Sequence, residues 1–296
     1  LHLNAYLKKQ RTVIDAELEK YLDLRSDLFG TLVDSMRYSL FAGGKRIRPI
    51  LALAACEAVG GEIKKVLPVA CALEIMHTFT LIHDDLPCMD NDDMRRGRPT
   101  NHKVFGEAQT LLAGCSLLAI TFEIISGQCV SGDINAEHAI TLTHILSRAV
   151  GWEGVMGGQS LDMIYEGEPS DIEHVKAVCH HKTATLITAS LACGAVAGGA
   201  SETQVEALTH FGHSIGLAFQ VADDILDVEG EAHKLGKSTG TDARAGKVTF
   251  PALMGLAKAK SLAQKLLGES LSALDEFDSR ADPLRKIAHY IVTRDR

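Results

Sequence analysis

Apolar residues recur along most of this chain three and four positions apart, the spacing that gathers them on one face of a helix, and rarely in the alternation of a strand. The spacing predicts helices over residues 66–82, 103–126, 134–150, 183–197, 202–228 and 251–268. Val66 to Ile82 is apolar on nearly every side, which suits a helix enclosed by others rather than one lying on a surface. Val, Ile and Thr seldom alternate and hairpin dipeptides are few, so no sheet is expected. The predicted fold is all-α, a helical bundle around a central cavity. No Pro-, Gly- or Ser-rich linker, like-charge block or internal repeat interrupts it, and residues 1–296 read as a single domain. One stretch, Thr183 to Ser201, carries no charge over a length that would span a bilayer. Its Thr, Ser and Gly content makes it poorly apolar, so a buried helix and no membrane span are expected.

Two acidic clusters follow largely apolar runs. Asp84 and Asp85 close the first run, with Asp90 after Leu86-Pro87-Cys88-Met89; Asp223, Asp224 and Asp227 form the second cluster. Carboxylates beside a core cost several kcal/mol unless a cation compensates them, and their hard oxygens suit Mg²⁺ and the phosphates that accompany it. At about 100° per residue, Asp223 and Asp227 fall roughly 40° apart on one helical face, with Asp224 beside them. On a straight helix Asp90 would lie roughly 240° around from Asp84. Pro87 disfavours helix at Leu86, so the chain is expected to leave the helix there and loop Asp90 back toward the ion. Either cluster alone is more simply an acidic helix end or a cap. The pair, each with cations nearby, points to a metal-bridged anion.

Those cations narrow the anion's identity. Gly43-Gly44-Lys45-Arg46-Ile47-Arg48-Pro49 sets three of them after two glycines, an arrangement expected to converge on one ligand. Arg95 and Arg96 follow the first acidic cluster, and Lys182, Lys237 and Lys247 lie around the second. Taken singly each is an ordinary surface charge. In a chain of formal net charge −8, their company with carboxylates makes a site of both signs, suited to a diphosphate held partly through Mg²⁺ and partly directly. The acidic balance, with no basic stripe, excludes nucleic acid as a partner. Seven scattered cysteines without a CxxC pair exclude a zinc site or disulfide framework. With no apolar signal core near Lys8, Lys9 and Arg11, a cytoplasmic location is expected.

Two other motifs compete and fail. Gly212-His213-Ser214-Ile215-Gly216 fits the GxSxG elbow of an α/β-hydrolase, with Asp242 and His289 in the required order, but an elbow joins a strand to a helix. Here Val205, Leu208, Phe211, Ile215, Phe219 and Ile225 keep helical spacing straight through it. Gly236-Lys237-Ser238 looks like the end of a P-loop, yet Gly230 stands one residue out of register and no strand precedes it.

In order along the chain, GGKRIRP at 43–49, HTFTLIHDDLPCMD at 77–90 with NDDMRRGRPT at 91–100, GGQ at 157–159, HKT at 181–183, FQVADDILD at 219–227 and GKVTFP at 246–251 resemble the short-chain trans-prenyl diphosphate synthases, the bacterial farnesyl diphosphate synthase type in particular. The resemblance implies Mg²⁺, with Mn²⁺ able to substitute, held by Asp84, Asp90 and Asp223 with Asp85, Asp224 and Asp227 in support. It implies ionisation of dimethylallyl and geranyl diphosphates, with Arg95, Lys182 and Lys237 sharing the charge of the leaving diphosphate and Lys247 a weaker candidate. Isopentenyl diphosphate would sit on Lys45, Arg48, His77 and Arg96, while Thr183 and Gln220 offer neutral oxygens to the cation. His77 by itself reads equally as a core histidine, but it falls within roughly 20° of the Asp84 face. Phe79, about 7.5 Å of helix rise before Asp84, is expected to floor the cavity and stop growth at farnesyl diphosphate, with Thr80 on the wall. Ordinary core packing is the competing reading of Phe79. A homodimer is implied by resemblance alone. A geranylgeranyl product stays open, whereas a class I terpene cyclase or a non-catalytic synthase subunit fits poorly with two intact acidic motifs and the GGKRIRP run.

Overall fold

The structure, a computed structural model, describes residues 2–24, 27–168, 171–233 and 248–294; Lys237, Lys247 and Asp242 lie outside the described residues. Its helices are α1 Leu3–Tyr21, α2 Gly30–Leu40, α3 Ile47–Val59, α4 Ile63–Asp84, α5 Asn101–Phe105, α6 Glu107–Ser131, α7 Ala136–Val150, α8 Val155–Tyr165, α9 Ile172–Val178, α10 Thr185–Ala197, α11 Glu202–His233, α12 Phe250–Met254, α13 Leu256–Ser272 and α14 Asp282–Thr293. A π-helical turn, Cys179–Ala184, joins α9 to α10. Among the described residues the one sheet is a two-residue ribbon, β1 Met94–Arg95 against β2 Arg98–Pro99. The all-α reading is correct.

Two predicted helices are each divided by a glycine. Gly106, at φ 80° and ψ 159°, ends α5 and begins α6, and Gly255, at φ 81° and ψ 150°, separates α12 from α13. Both conformations lie where only glycine sits without strain. Apolar spacing persists on either side of each break, which is why periodicity alone joined the pieces.

The centre of the bundle is α4, whose Val66, Val69, Cys71, Leu73, Ile75 and Met76 are fully buried. It packs against α3, α6 and α10. Both α4 and α6 are long and apolar enough to cross a membrane by length and composition, but 78% of the apolar window of α4 is buried within the protein, against 39% for α6. Core burial accounts for α4. The α6 helix keeps apolar residues on its outward side, Leu111 and Leu112 among them. The uncharged Thr183–Ser201 stretch is also a core element, since α10 is buried along most of its length.

Packing also explains the GxSxG glycines. The α11 helix runs unbroken through them, and a Cβ on Gly212 or Gly216 would come 2.7 Å from the Cα of Thr188 or Ala184. They let α11 lie directly against the backbone of α10 and of the π-helical turn that precedes it.

Arg46 departs from the expected convergence of cations. It adopts φ 53° as the residue before α3, and its side chain is buried in the core while Lys45 is exposed. There Nη1 donates to Glu74 Oε1 at 2.7 Å, Nε to Asp15 Oδ1 at 2.8 Å and Nη2 to the Leu40 carbonyl at 2.8 Å. This buried network ties α1, α2 and α4 to the start of α3. Glu74→Ala would leave the buried Arg46 charge with Asp15 as its one carboxylate partner, and a loss of about 3 kcal/mol is expected in urea unfolding. A variant as stable as the parent would show that Arg46 finds compensation elsewhere.

Candidate active site

The first acidic cluster forms where α4 stops. Asp85 caps the helix, the chain turns through Leu86 and Pro87, and the Asp90 N–H donates to the Asp84 carbonyl at 2.9 Å. Asp90 is thus looped back beside Asp84, as the proline predicted. Burial pushes the Asp84 carboxyl up from 3.8 to about 6, opposed by Lys182 and reinforced by Asp90. Asp85 is likewise raised to about 6 by burial, against the pull of Arg95, whose Nε donates to its Oδ1 at 2.6 Å. Arg95 also reaches Asp92 at 3.2 Å, so it belongs to the acidic cluster itself.

Across from α4, the α8 helix holds the cluster with two residues one turn apart. Gln159 Nε2 donates to Asp90 Oδ1 at 3.0 Å. Asp162 Oδ2 accepts from Lys182 Nζ at 2.7 Å, with Asp90 Oδ2 3.9 Å from the same ammonium. Lys182 is carried by the π-helical turn, whose extra residue per turn sits in contact with α8: a Cβ on Gly158 would come 2.2 Å from the Lys182 nitrogen. A side chain at 158 would displace the turn and its lysine.

The second cluster divides its labour. Asp224 is buried at 4% exposure, and both its oxygens are engaged: Oδ1 accepts from Gln220 Nε2 at 2.9 Å and Oδ2 from the Phe250 N–H at 3.0 Å. Roughly 100° of helix rotation turns Asp224 from the Asp223 stripe toward the start of α12, where it anchors Gln220 and Phe250. Thr183 Oγ1 donates to Gln220 Oε1 at 3.3 Å, completing a fixed chain Thr183–Gln220–Asp224. Asp223 and Asp227 stay half-buried. Asp223 accepts from Arg294, whose guanidinium also lies 4.5 Å over the Phe219 ring.

The other anion site is assembled only in part. Arg48 Nη1 donates to His77 Nε2 at 3.1 Å. Burial, with Arg48, Arg96 and Arg95 nearby, holds His77 well below its ordinary pKa, so it is a neutral acceptor that aims Arg48. Arg48 Nε is buried with no partner, a donor left over for a ligand. Arg96 donates to the Gly43 carbonyl, and Lys45 is exposed. Between α4 and α8 lies a cavity of about 460 Å³ that runs from Asp84 past His83 and Thr80 to Phe79, with Met156, Gln159 and Met163 opposite. A second cavity, about 250 Å³, is lined by Asp162, Lys182, Thr183, Gln220 and Asp224.

A family model described as polyprenyl synthetase matches residues 30–287. The chain belongs to the polyprenyl synthetase family. It is 45% identical over 294 residues to the heterodimeric geranylgeranyl pyrophosphate synthase large subunit 1 of Arabidopsis thaliana, covering 98% of this chain and 79% of that protein. It is 45% identical over 293 residues to a chloroplastic geranylgeranyl pyrophosphate synthase of Catharanthus roseus, covering 98% and 81%. The crystal structure of an FPP/GFPP synthase from Zymomonas mobilis superposes with a TM-score of 0.88 at 36% identity, covering 98% of this chain and 99% of that one. Within this polyprenyl synthetase, sequence reading missed Asp162, Arg294 and the site role of Gln159. Each acts through a partner far away in sequence, and only the GGQ run at 157–159 hinted at one of them.

The donor chemistry fits Mg²⁺. Asp84 with Asp90, and Asp223 with Asp227, supply hard oxygens only. Among the described residues no three His, Cys, Asp or Glu side chains form a closed cage, and Mg²⁺ needs none, since it keeps waters and takes one or two carboxylates plus substrate phosphate oxygens. The raised carboxyls make a pH prediction. A group whose pKa is higher folded than unfolded contributes stability that is whole below its unfolded value and lost as pH rises through its folded value. Metal-free protein should therefore lose the Asp84 contribution between pH 3.8 and about 6. The stability difference between Asp84→Asn and the parent, from urea unfolding in EDTA, should grow in favour of the variant across that window. A difference that stays flat would show that Asp84 is already ionised at its lower end.

Proposed function

We propose that the protein condenses isopentenyl diphosphate with dimethylallyl and geranyl diphosphates and releases farnesyl diphosphate as its main product. One observation carries the reading. A single buried helix, α4, presents His77 with Arg48 as a metal-free anion site, Asp84 as an acidic one, and Phe79 inside an apolar cavity running from Asp84. Two diphosphates and one growing hydrocarbon are what such a helix accommodates.

Bound Mg²⁺ would neutralise the diphosphate of the allylic substrate, with Asp84, Asp90, Asp223 and Asp227 as its protein ligands and Asp85 in support. Lys182, released from Asp162, shares the charge that grows as the C–O bond breaks and the electron pair leaves with diphosphate. Arg95 opposes the burial that raises Asp85, and with Lys237 and Lys247 it is a candidate for the same diphosphate. Thr183 and Gln220, fixed by Asp224, face the allylic cation with neutral dipoles that do not capture it. Arg48, aimed by His77, holds isopentenyl diphosphate together with Arg96 and Lys45. Its double bond attacks the cation, and the proton lost from the new unit passes to the released diphosphate.

Phe79, 3% exposed, supports a fifteen-carbon limit. The names of the plant relatives support a second reading, geranylgeranyl diphosphate. Chromatography of products made from radiolabelled isopentenyl diphosphate with each primer decides between them. The expected outcome is a fifteen-carbon main product, no turnover in EDTA, and a shift of Phe79→Ala toward twenty carbons with some loss of stability from the cavity. Full activity without divalent metal would sink the mechanism. A twenty-carbon product from the unaltered protein would select the second reading.

We further propose a homodimer in the cytoplasm. The seven cysteines are free thiols, which supports a reducing compartment. Leu111, Leu112, Ile140 and Trp152 are 48%, 52%, 71% and 82% exposed on and around α6 and α7, more apolar surface than scattered single residues present. Sedimentation at micromolar concentration should give the mass of two chains, falling to one when Leu112 and Ile140 are replaced by Glu. A monomeric parent would refute the assignment.

A further inference from the structure

We infer that the depth of the α4–α8 cavity is set by a unit of three residues, Phe79, His83 and Gly114, in which His83 is the positioning residue for Phe79. The inference rests on the reading of this cavity as the product channel. His83 follows Phe79 by one turn of α4, and both rings line the cavity. They meet edge to face, 4.8 Å between centroids at 78°. The far side of the imidazole is held by α6, where Nε2 donates to the Leu111 carbonyl at 3.2 Å. The ring fits there because residue 114 is glycine: a Cβ would come 2.3 Å from His83 Nε2 and 2.5 Å from its Cδ2.

These contacts act in one direction. The hydrogen bond draws His83 onto α6, the glycine makes room for it, and the edge of Phe79 leans on the ring so held. Phe79 alone would be free to turn into whatever space a neighbour left. Removing the imidazole therefore opens space beside the floor, and the cavity accepts a longer chain. Adding a methyl at 114 drives the imidazole off α6 toward Phe79 and the cavity, which shortens it. Opposite shifts from two sites on different helices distinguish this geometry from general damage, because a loss of folding or of Asp84 placement would lower the rate without choosing a length.

The test compares the parent with His83→Ala, His83→Gln and Gly114→Ala. Each is supplied with radiolabelled isopentenyl diphosphate, geranyl diphosphate and Mg²⁺, its products are separated by chain length, and its fold is checked by circular dichroism. The ratio of the next longer product to the main one should rise about tenfold or more in His83→Ala and fall by a similar factor in Gly114→Ala. His83→Gln, which keeps a donor for Leu111 but lacks the ring, should lie between the parent and His83→Ala. Ratios within about twofold of the parent in the folded variants, or shifts of the same sign at both positions, would overturn the inference. If Gly114→Ala does not fold, the two His83 variants decide. Crystal structures of the same variants require no turnover: the Phe79 ring should change orientation in His83→Ala, and an unmoved ring overturns the inference whatever the parent synthesises. Failure of the functional reading is distinct, since the parent itself would then form no prenyl product.

Discussion

Ionised carboxylates at the end of a buried helix must be compensated, and much of this molecule is arranged around that requirement at α4. Its middle carries Glu74, matched by Arg46 inside the core. Its end carries Asp84 and Asp85, matched imperfectly: Arg95 serves Asp85, Gln159 serves Asp90 across the loop, and Lys182 is drawn toward Asp162 instead. Burial, opposed by Lys182 and reinforced by Asp90, leaves Asp84 with a raised pKa.

The second acidic cluster obeys the same electrostatics with a different outcome. Asp224 uses both oxygens inside the protein, which fixes Gln220 and the first turn of α12. Asp223 is shared with Arg294, a residue near the end of the chain that also stacks on Phe219. Adjacent aspartates thus differ in role because a helix turns them in different directions. Through Gln220, Asp224 also fixes Thr183 on the π-helical turn.

Cavity shape, in turn, depends on contacts too close for a side chain. Gly158 brings α8 against the turn that carries Lys182, and Gly114 brings α6 against the ring beside Phe79. Interiors packed this tightly transmit a single methyl group as displacement of the neighbour. The positions of Lys182 and His83 are accordingly coupled to glycines on neighbouring helices.

Local periodicity and composition were enough to place α7, α10, α11 and the enclosed α4, the loop that returns Asp90 after Pro87, and the family through its ordered motifs, because each of these depends on neighbours within one or two turns; α1, α2, α3, α8, α9 and α14 were not among the predicted helices. The same information placed Lys45, Arg46 and Arg48 together on one anion. Only the tertiary structure showed Arg46 turned into the core, His77 buried beside Arg48, Asp224 hydrogen-bonded to Gln220 and Phe250, and Asp162, Gln159 and Arg294 brought to the acidic clusters. A side chain's direction and charge state depend on which distant groups surround it, and residues tens or hundreds of positions apart meet only when the helices pack. The pattern along the chain specified the long helices at the centre of the bundle; packing between helices decided which carboxylate meets which cation and how much room lies beside Phe79.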